Sequence, residues 1–157
     1  MKIKLLVVGK TEEEFIAEGI DKYVSRLKHY IPFELVTLPD VKGGAKLTNA
    51  RLKEEEGKLI LAKVAGGDHL ILLDEKGKEF TSREFSGFIQ KKMNAGVQTL
   101  IFVIGGAFGF SDEVYEKARD KVSLSRMTFS HQMIRLFFTE QLYRAFTILK
   151  GEKYHHD

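Results

Sequence analysis

Five short apolar runs punctuate the chain, and stretches with helical periodicity separate and follow them. No other feature constrains the fold as tightly. The runs are Ile3–Val8, Phe33–Leu38, His69–Leu73, Leu100–Ile104 and a shorter Val122–Leu124. Apolar runs without polar alternation mark strands buried on both faces, and parallel sheets covered by helices supply such positions. The reading is an α/β fold, a mostly parallel sheet with helices on both faces. A chain of 157 residues suits a single domain over 1–157.

The helical stretches carry their own start and stop signals. Thr11-Glu12-Glu13-Glu14 and Thr81-Ser82-Arg83-Glu84 both read as capping boxes. The first opens a helix with Ile16, Ile20, Tyr23, Val24 and Leu27 on one face; the second opens one with Phe85, Phe88 and Ile89. Residues 40–49, with Gly43-Gly44, read as a mobile loop. A mostly polar helix follows over about 50–65 and ends at Gly66-Gly67 as a glycine C-cap. Asp74–Lys78 reads as a turn. Ser111 caps a short helix, and Ser130 a last one from His131 to about Leu149.

That last helix is unusually apolar. Ile134, Phe138, Leu142, Ala145 and Leu149 form one stripe, and Met133, Leu136, Phe137 and Phe146 widen it. So wide an arc needs cover on more than one side. A homodimer through this helix is the expected cover, and burial within its own chain is the alternative.

Composition removes several classes. Cysteine is absent, which excludes disulfides and thiolate zinc sites and agrees with a reducing compartment. The apolar start has no small-residue cleavage site after it and reads as a strand, not a signal peptide. No apolar run approaches the ~20 residues of a membrane helix. A cytoplasmic chain without a membrane segment is expected. The net charge of +3 permits a nucleic-acid partner without requiring one.

In parallel sheets ligands bind beyond the C-terminal strand ends. Three segments fall there: Leu73-Asp74, Gly105–Gly109 and the stretch after Leu124. Gly9-Lys10-Thr11 lacks the upstream glycine of a phosphate-binding loop, since Lys4 stands in its place, and is a strand-to-helix turn. Gly105-Gly106-Ala107-Phe108-Gly109 lacks the spacing of a dinucleotide fingerprint. Its glycines still allow close backbone approach, so it reads as a cofactor loop, with a simple tight turn as the alternative. Leu124-Ser125-Arg126-Met127-Thr128-Phe129 has no obvious catalytic group, but such a loop can offer backbone groups to a ring. His131 starts the last helix with Arg135 one turn on, and Glu140 and Arg144 share the same spacing and can form an ion pair. A lone helix-start histidine is more often structural than catalytic. The tail Tyr154-His155-His156-Asp157 reads as a segment folding over an active site; its adjacent histidines are a weak metal signal.

Taken together, Leu72-Leu73-Asp74 with Gly77-Lys78, Ile104-Gly105-Gly106, Leu124-Ser125 with Thr128, His131 with Arg135, Glu140–Ala145 and Tyr154-His155 resemble the ribosomal RNA large subunit methyltransferase H family of the SPOUT class. The resemblance spans essentially the whole chain. It implies a C-terminal trefoil knot, a homodimer, and methylation of N3 of a pseudouridine in 23S rRNA on the assembled ribosome. Carried over by position, Leu73, Gly105 and Leu124, Ser125, Arg126, Met127, Thr128 and Phe129 would hold S-adenosylmethionine. His131 and His155 are candidate bases for the N3 proton. Arg135 or Arg144 would stabilise charge or hold phosphate, and Tyr154 would stack on a base. Lys42, Lys46, Lys150 and Lys153 are candidate phosphate contacts. One departure stands out: Ala107-Phe108 occupy the place where the family commonly has Pro-Glu. Two rivals remain on the residues alone. One is a non-catalytic ribosome- or RNA-binding α/β module, which would not bind the donor. The other is a Rossmann-type nucleotide enzyme, for which Pro39-Asp40 is a poor ribose-binding match.

Overall fold

The structure is a computed structural model that describes residues 1–157. Its elements alternate: β1 (Lys2–Val8), α1 (Glu14–Leu27), β2 (Phe33–Leu38), α2 (Asn49–Leu61), β3 (His69–Glu79), α3 (Ser82–Asn94), β4 (Thr99–Ile104), α4 (Asp112–Lys117), β5 (Asp120–Ser123) and α5 (Met133–Leu149). The five strands form one sheet in the order β2-β1-β4-β3-β5, and every pairing is parallel.

The apolar runs are explained by two cores, one on each face of the sheet. Ile3, Leu5, Val7, Ile71, Leu100, Phe102 and Ile104 pack against α1, α3 and α5. Their neighbours Leu6, Val8, Leu70, Leu72, Ile101 and Val103 pack against α2 and α4, through Ile60 and Val114. Successive strand residues point to opposite faces, so a strand sandwiched between helix layers is apolar at almost every position. Aromatic packing marks the first core: the Phe102 and Phe138 rings lie 4.8 Å apart, and Phe85 sits edge-on to both.

Two start signals read differently in space. The Thr81 box forms as expected, with Thr81 and Glu84 exchanging hydrogen bonds. The Thr11 box does not. Helix α1 begins at Glu14 with Glu13 as its uncapped N-cap. The Thr11 hydroxyl instead accepts from Arg135, and Gln132 takes over the turn: its Oε1 accepts from Glu12 N–H at 2.9 Å and its Nε2 donates to Lys10 O at 3.0 Å. A long-range partner has displaced a local one. Helix α2 ends at Leu61, short of Gly66-Gly67, because Lys63 and Val64 N–H bond three residues back and Asp68 accepts from Ala65 N–H. Residues 40–48 form a loop with one 3₁₀ turn at Gly44–Lys46, and Asn49, expected in the loop, already opens α2. At α5, residues 131 and 132 form a turn before the helix, and Ser130 Oγ still accepts from Met133 N–H.

The expected turn at Asp74–Lys78 is a bulge inside β3. Leu73 and Lys78 both register with Val122, so residues 74–77 leave the ladder and the strand then rejoins β5. Asp74 Oδ1 accepts from Lys76 N–H and shapes the excursion. Gly77 lies so close to β5 that a Cβ there would meet the Val122 backbone at 2.6 Å. Gly77→Ala is therefore expected to lower stability by about 1–3 kcal/mol, as overpacking does, measured as a fall in urea midpoint.

Candidate active site

Strand order and helix faces together narrow where a site can lie, and the cleft singles out one place. Chain steps β1→β2 and β3→β4 run one way across the sheet and use α1 and α3 on one face; β2→β3 and β4→β5 run the other way and use α2 and α4 on the opposite face. All four crossovers thus have one hand, as the right-handed rule requires. The neighbours β3 and β4 consequently send their chains to opposite faces. A crevice must open between their C-terminal ends.

A cleft of about 730 Å³ lies there, within the size range of small-molecule and cofactor sites. Its walls are the end of the β3–β4 ladder at Leu73 with the bulge residues Asp74–Lys76, the loop Ile104–Phe110 and the stretch Val122–Ser130, continued by His131 and Ile134. Of the residues expected to hold a cofactor, Leu73, Gly105, Leu124, Ser125, Met127, Thr128 and Phe129 line the cleft. The Arg126 side chain does not; it is 88% exposed and reaches towards Glu79.

Glycines and serines shape two of these walls. Gly105 lets the first loop close on Phe110, whose ring would lie 3.0 Å from a Cβ at that position. Gly109 adopts φ +84°, which favours glycine. The second loop is shaped by its serines: Ser123 Oγ donates to Ser125 O, and Ser125 Oγ accepts from Met127 N–H. Such walls suit a ligand recognised through main-chain groups. Ala107 and Phe108 are both exposed on the rim.

Sequence reasoning missed the Asp74–Tyr115 pair. The Tyr115 hydroxyl donates to Asp74 Oδ2 across the mouth of the cleft. Burial first, then this bond, push the Tyr115 phenol up to about 12, so it stays a neutral donor at physiological pH. Asp74 stood in a recognised motif, but Tyr115 carries no sequence signal beyond lying one turn after Ser111. Lys53 of α2 also reaches the cleft and could not have been placed without the tertiary fold.

The remaining expected residues fall into two other places. His131 lines the cleft and is exposed. Arg135 does not line it. Its guanidinium is buried and spent on the main chain: Nη2 donates to Val8 O at 2.7 Å, Nη1 to Gly9 O at 2.9 Å, and Nε to His131 O at 3.2 Å. Burial lowers its pKa, and Asp40 and Glu12 oppose that effect. Arg144, Tyr154 and His155 gather instead at the far end of α5. Glu140 Oε1 accepts from Arg144 at 2.5 Å and from Tyr154 at 2.9 Å, and Arg144 Nη1 lies 3.3 Å from His155 Nδ1. Arg144 covers one face of the Tyr154 ring, whose edge meets Tyr143. Arg83 anchors the last residue, Asp157. The tail is ordered, but within one chain it does not line the cleft. Lys42, Lys46, Lys150 and Lys153 are exposed.

Comparisons with known proteins agree with this geometry. A family model described as "Predicted SPOUT methyltransferase" matches residues 1–155. The chain is similar to a protein of Parabacteroides distasonis named ribosomal RNA large subunit methyltransferase H, with 56% identity over the full length of both. A Flavobacterium johnsoniae protein of the same name is 58% identical over 99% of each chain. Among solved structures, a probable methyltransferase from Bordetella pertussis Tohama I has the same fold, with a TM-score of 0.54 and 12% identity over 92% of this chain and 94% of that one.

Loss of the buried Arg135 donors strands carbonyls at the end of β1. Arg135→Ala is expected to cost on the order of 3 kcal/mol in urea unfolding. An unchanged midpoint would show that the guanidinium does not hold the fold.

Proposed function

The chain belongs to the SPOUT methyltransferase family, and we propose that it transfers the methyl group of S-adenosylmethionine to N3 of a pseudouridine in 23S rRNA, on the assembled ribosome. The observation that carries the reading is the cleft at the β3/β4 switch point, lined by the residues at which the resemblance puts the donor. Its size, its glycine-built approach and its mixed apolar and main-chain walls suit an adenosyl ligand. The names of the full-length relatives supply the rRNA substrate. The C-terminal trefoil knot is part of the proposal, supported by the convergence of residues 73–76, 104–110 and 122–130 on one cleft.

S-adenosylmethionine supplies an activated methyl group on a sulfonium. The chain's part is to align N3 with that methyl carbon, where proximity contributes most. Leu73, Gly105 and Leu124–Phe129 hold the donor. N3 must also lose a proton. His131, exposed on the cleft wall, is the candidate base from this chain. Arg135 acts indirectly, by fixing the turn from which His131 projects.

The tail enters from a second copy. Arg144, Tyr154 and His155 lie outside their own chain's cleft, so a homodimer through α5 is the arrangement that gives them access to the target base. Helices α1 and α3 cover two flanks of α5 and satisfy most of its apolar arc. Phe137 remains exposed, its ring tilted against that of the exposed Phe129 with centroids 4.9 Å apart beside the cleft, and supports a dimer contact there. The exposed lysines Lys42, Lys46, Lys150 and Lys153 would meet rRNA phosphates. No helix is long and apolar enough to cross a membrane, and a ribosomal substrate supports a cytoplasmic location.

Mass mapping of 23S rRNA from a strain lacking the protein tests the substrate. One methylated pseudouridine should disappear and return on complementation; an unchanged map would overturn the assignment. For the base, His131→Ala and His155→Ala should bind S-adenosylmethionine in calorimetry yet slow methyl transfer about 10²-fold or more. Full rates in both would remove the histidines from the mechanism.

A further inference from the structure

Glu56 of α2 is buried, and its Oε1 is the one buried side-chain polar atom without a hydrogen-bond partner. It lies directly beneath the glycine loop of the cleft. A Cβ at Gly106 would fall 2.5 Å from Glu56 Oε2 and 2.9 Å from Oε1. The side chain is held there by its own helix. At the next residue, Gly57, a Cβ would lie 2.5 Å from Ser111 Oγ, so α2 is drawn hard against the far end of the same loop. The loop is weakly tied in return. Its one internal main-chain bond, Gly109 N–H to Gly106 O, is long at 3.3 Å.

A buried carboxyl without a protein hydrogen-bond partner costs stability. Burial first, and the charge of Asp40 second, raise its pKa, which is the response of a carboxyl lacking donors. The nearest main chain able to supply donors is the loop that forms the cleft wall.

We propose that Glu56 is a positioning residue for the methyl donor: when the donor binds, the Gly105–Gly109 loop settles onto the Glu56 carboxyl, which accepts a loop N–H and holds the wall in its binding form. The inference rests on the donor-binding reading above. It gives the buried acid a partner only in the bound state, so binding gains what folding forgoes.

Two variants separate this role from a structural one. Glu56→Met keeps the side-chain volume and removes both oxygens. Glu56→Gln keeps a carbonyl acceptor. The readouts are thermal melting, calorimetry with S-adenosylmethionine, and hydrogen exchange of loop amides 106–109 with and without that donor. Glu56→Met should melt no lower than the unmutated protein, bind the donor about tenfold more weakly, and show no donor-dependent protection of the loop. Glu56→Gln should keep affinity within about threefold and keep the protection. Equal donor affinity and equal loop protection in Glu56→Met would overturn the proposal while leaving the donor reading intact. A lowered melting temperature in Glu56→Met would also overturn it, because the carboxyl would then already have its partner in the free state. Failure of the unmutated protein to bind S-adenosylmethionine would overturn the donor reading itself, and this inference with it.

Discussion

Parallel strands can be joined only by crossovers, and crossovers of one hand leave no choice about which face a helix takes once strand order is set. Here the order β2-β1-β4-β3-β5 makes the chain step left twice and right twice. That alternation distributes α1 and α3 to one face and α2 and α4 to the other. It also forces β3 and β4, hydrogen-bonded neighbours, to part at their ends. The cleft is the space this parting leaves, and no special side chain is needed to create it. Chemistry has only to furnish its walls.

The walls are furnished by backbone brought close. Gly105 allows contact with Phe110, Gly106 allows contact with Glu56, and Gly77 allows β3 to rejoin β5 after the bulge that lines the cleft. A methyl group would collide at Gly106 and Gly77 and would crowd the Phe110 ring at Gly105. The glycines therefore do more than bend the chain: they set how near one layer may come to the next. Asp74 and Tyr115 then bridge two walls with a single hydrogen bond.

Much of this architecture was legible in the residues. Five strands and five helices were expected and found, because apolar runs and helical stripes report burial directly. The cleft residues Leu73, Gly105, Leu124, Ser125, Met127, Thr128 and Phe129 came from position within a resemblance, and the fold brings them together. Errors arose where a distant group outcompeted a local one. Thr11 looks like a helix cap in sequence, but Arg135 claims its hydroxyl and Gln132 claims the next amide. Arg135 looked like a charge for catalysis because one-dimensional spacing puts it beside His131; the sheet places it under Val8 and Gly9. Glu56 was invisible for the same reason. In a polar helix one more glutamate carries no signal until the fold buries it.

The Arg135 clamp also bears on the order in which the protein is made. Its acceptor at Gly9 lies 126 residues upstream, at the end of the strand flanked by β2 and β4. At synthesis speeds of roughly 5–20 residues per second, the two groups emerge on the order of ten seconds apart. Until the last helix leaves the ribosome, the first strand ends in carbonyls that have no cation to meet. The nascent chain can collapse around β1 but cannot finish it. Completion waits for α5, so a product terminated before that helix lacks the group that closes its first strand.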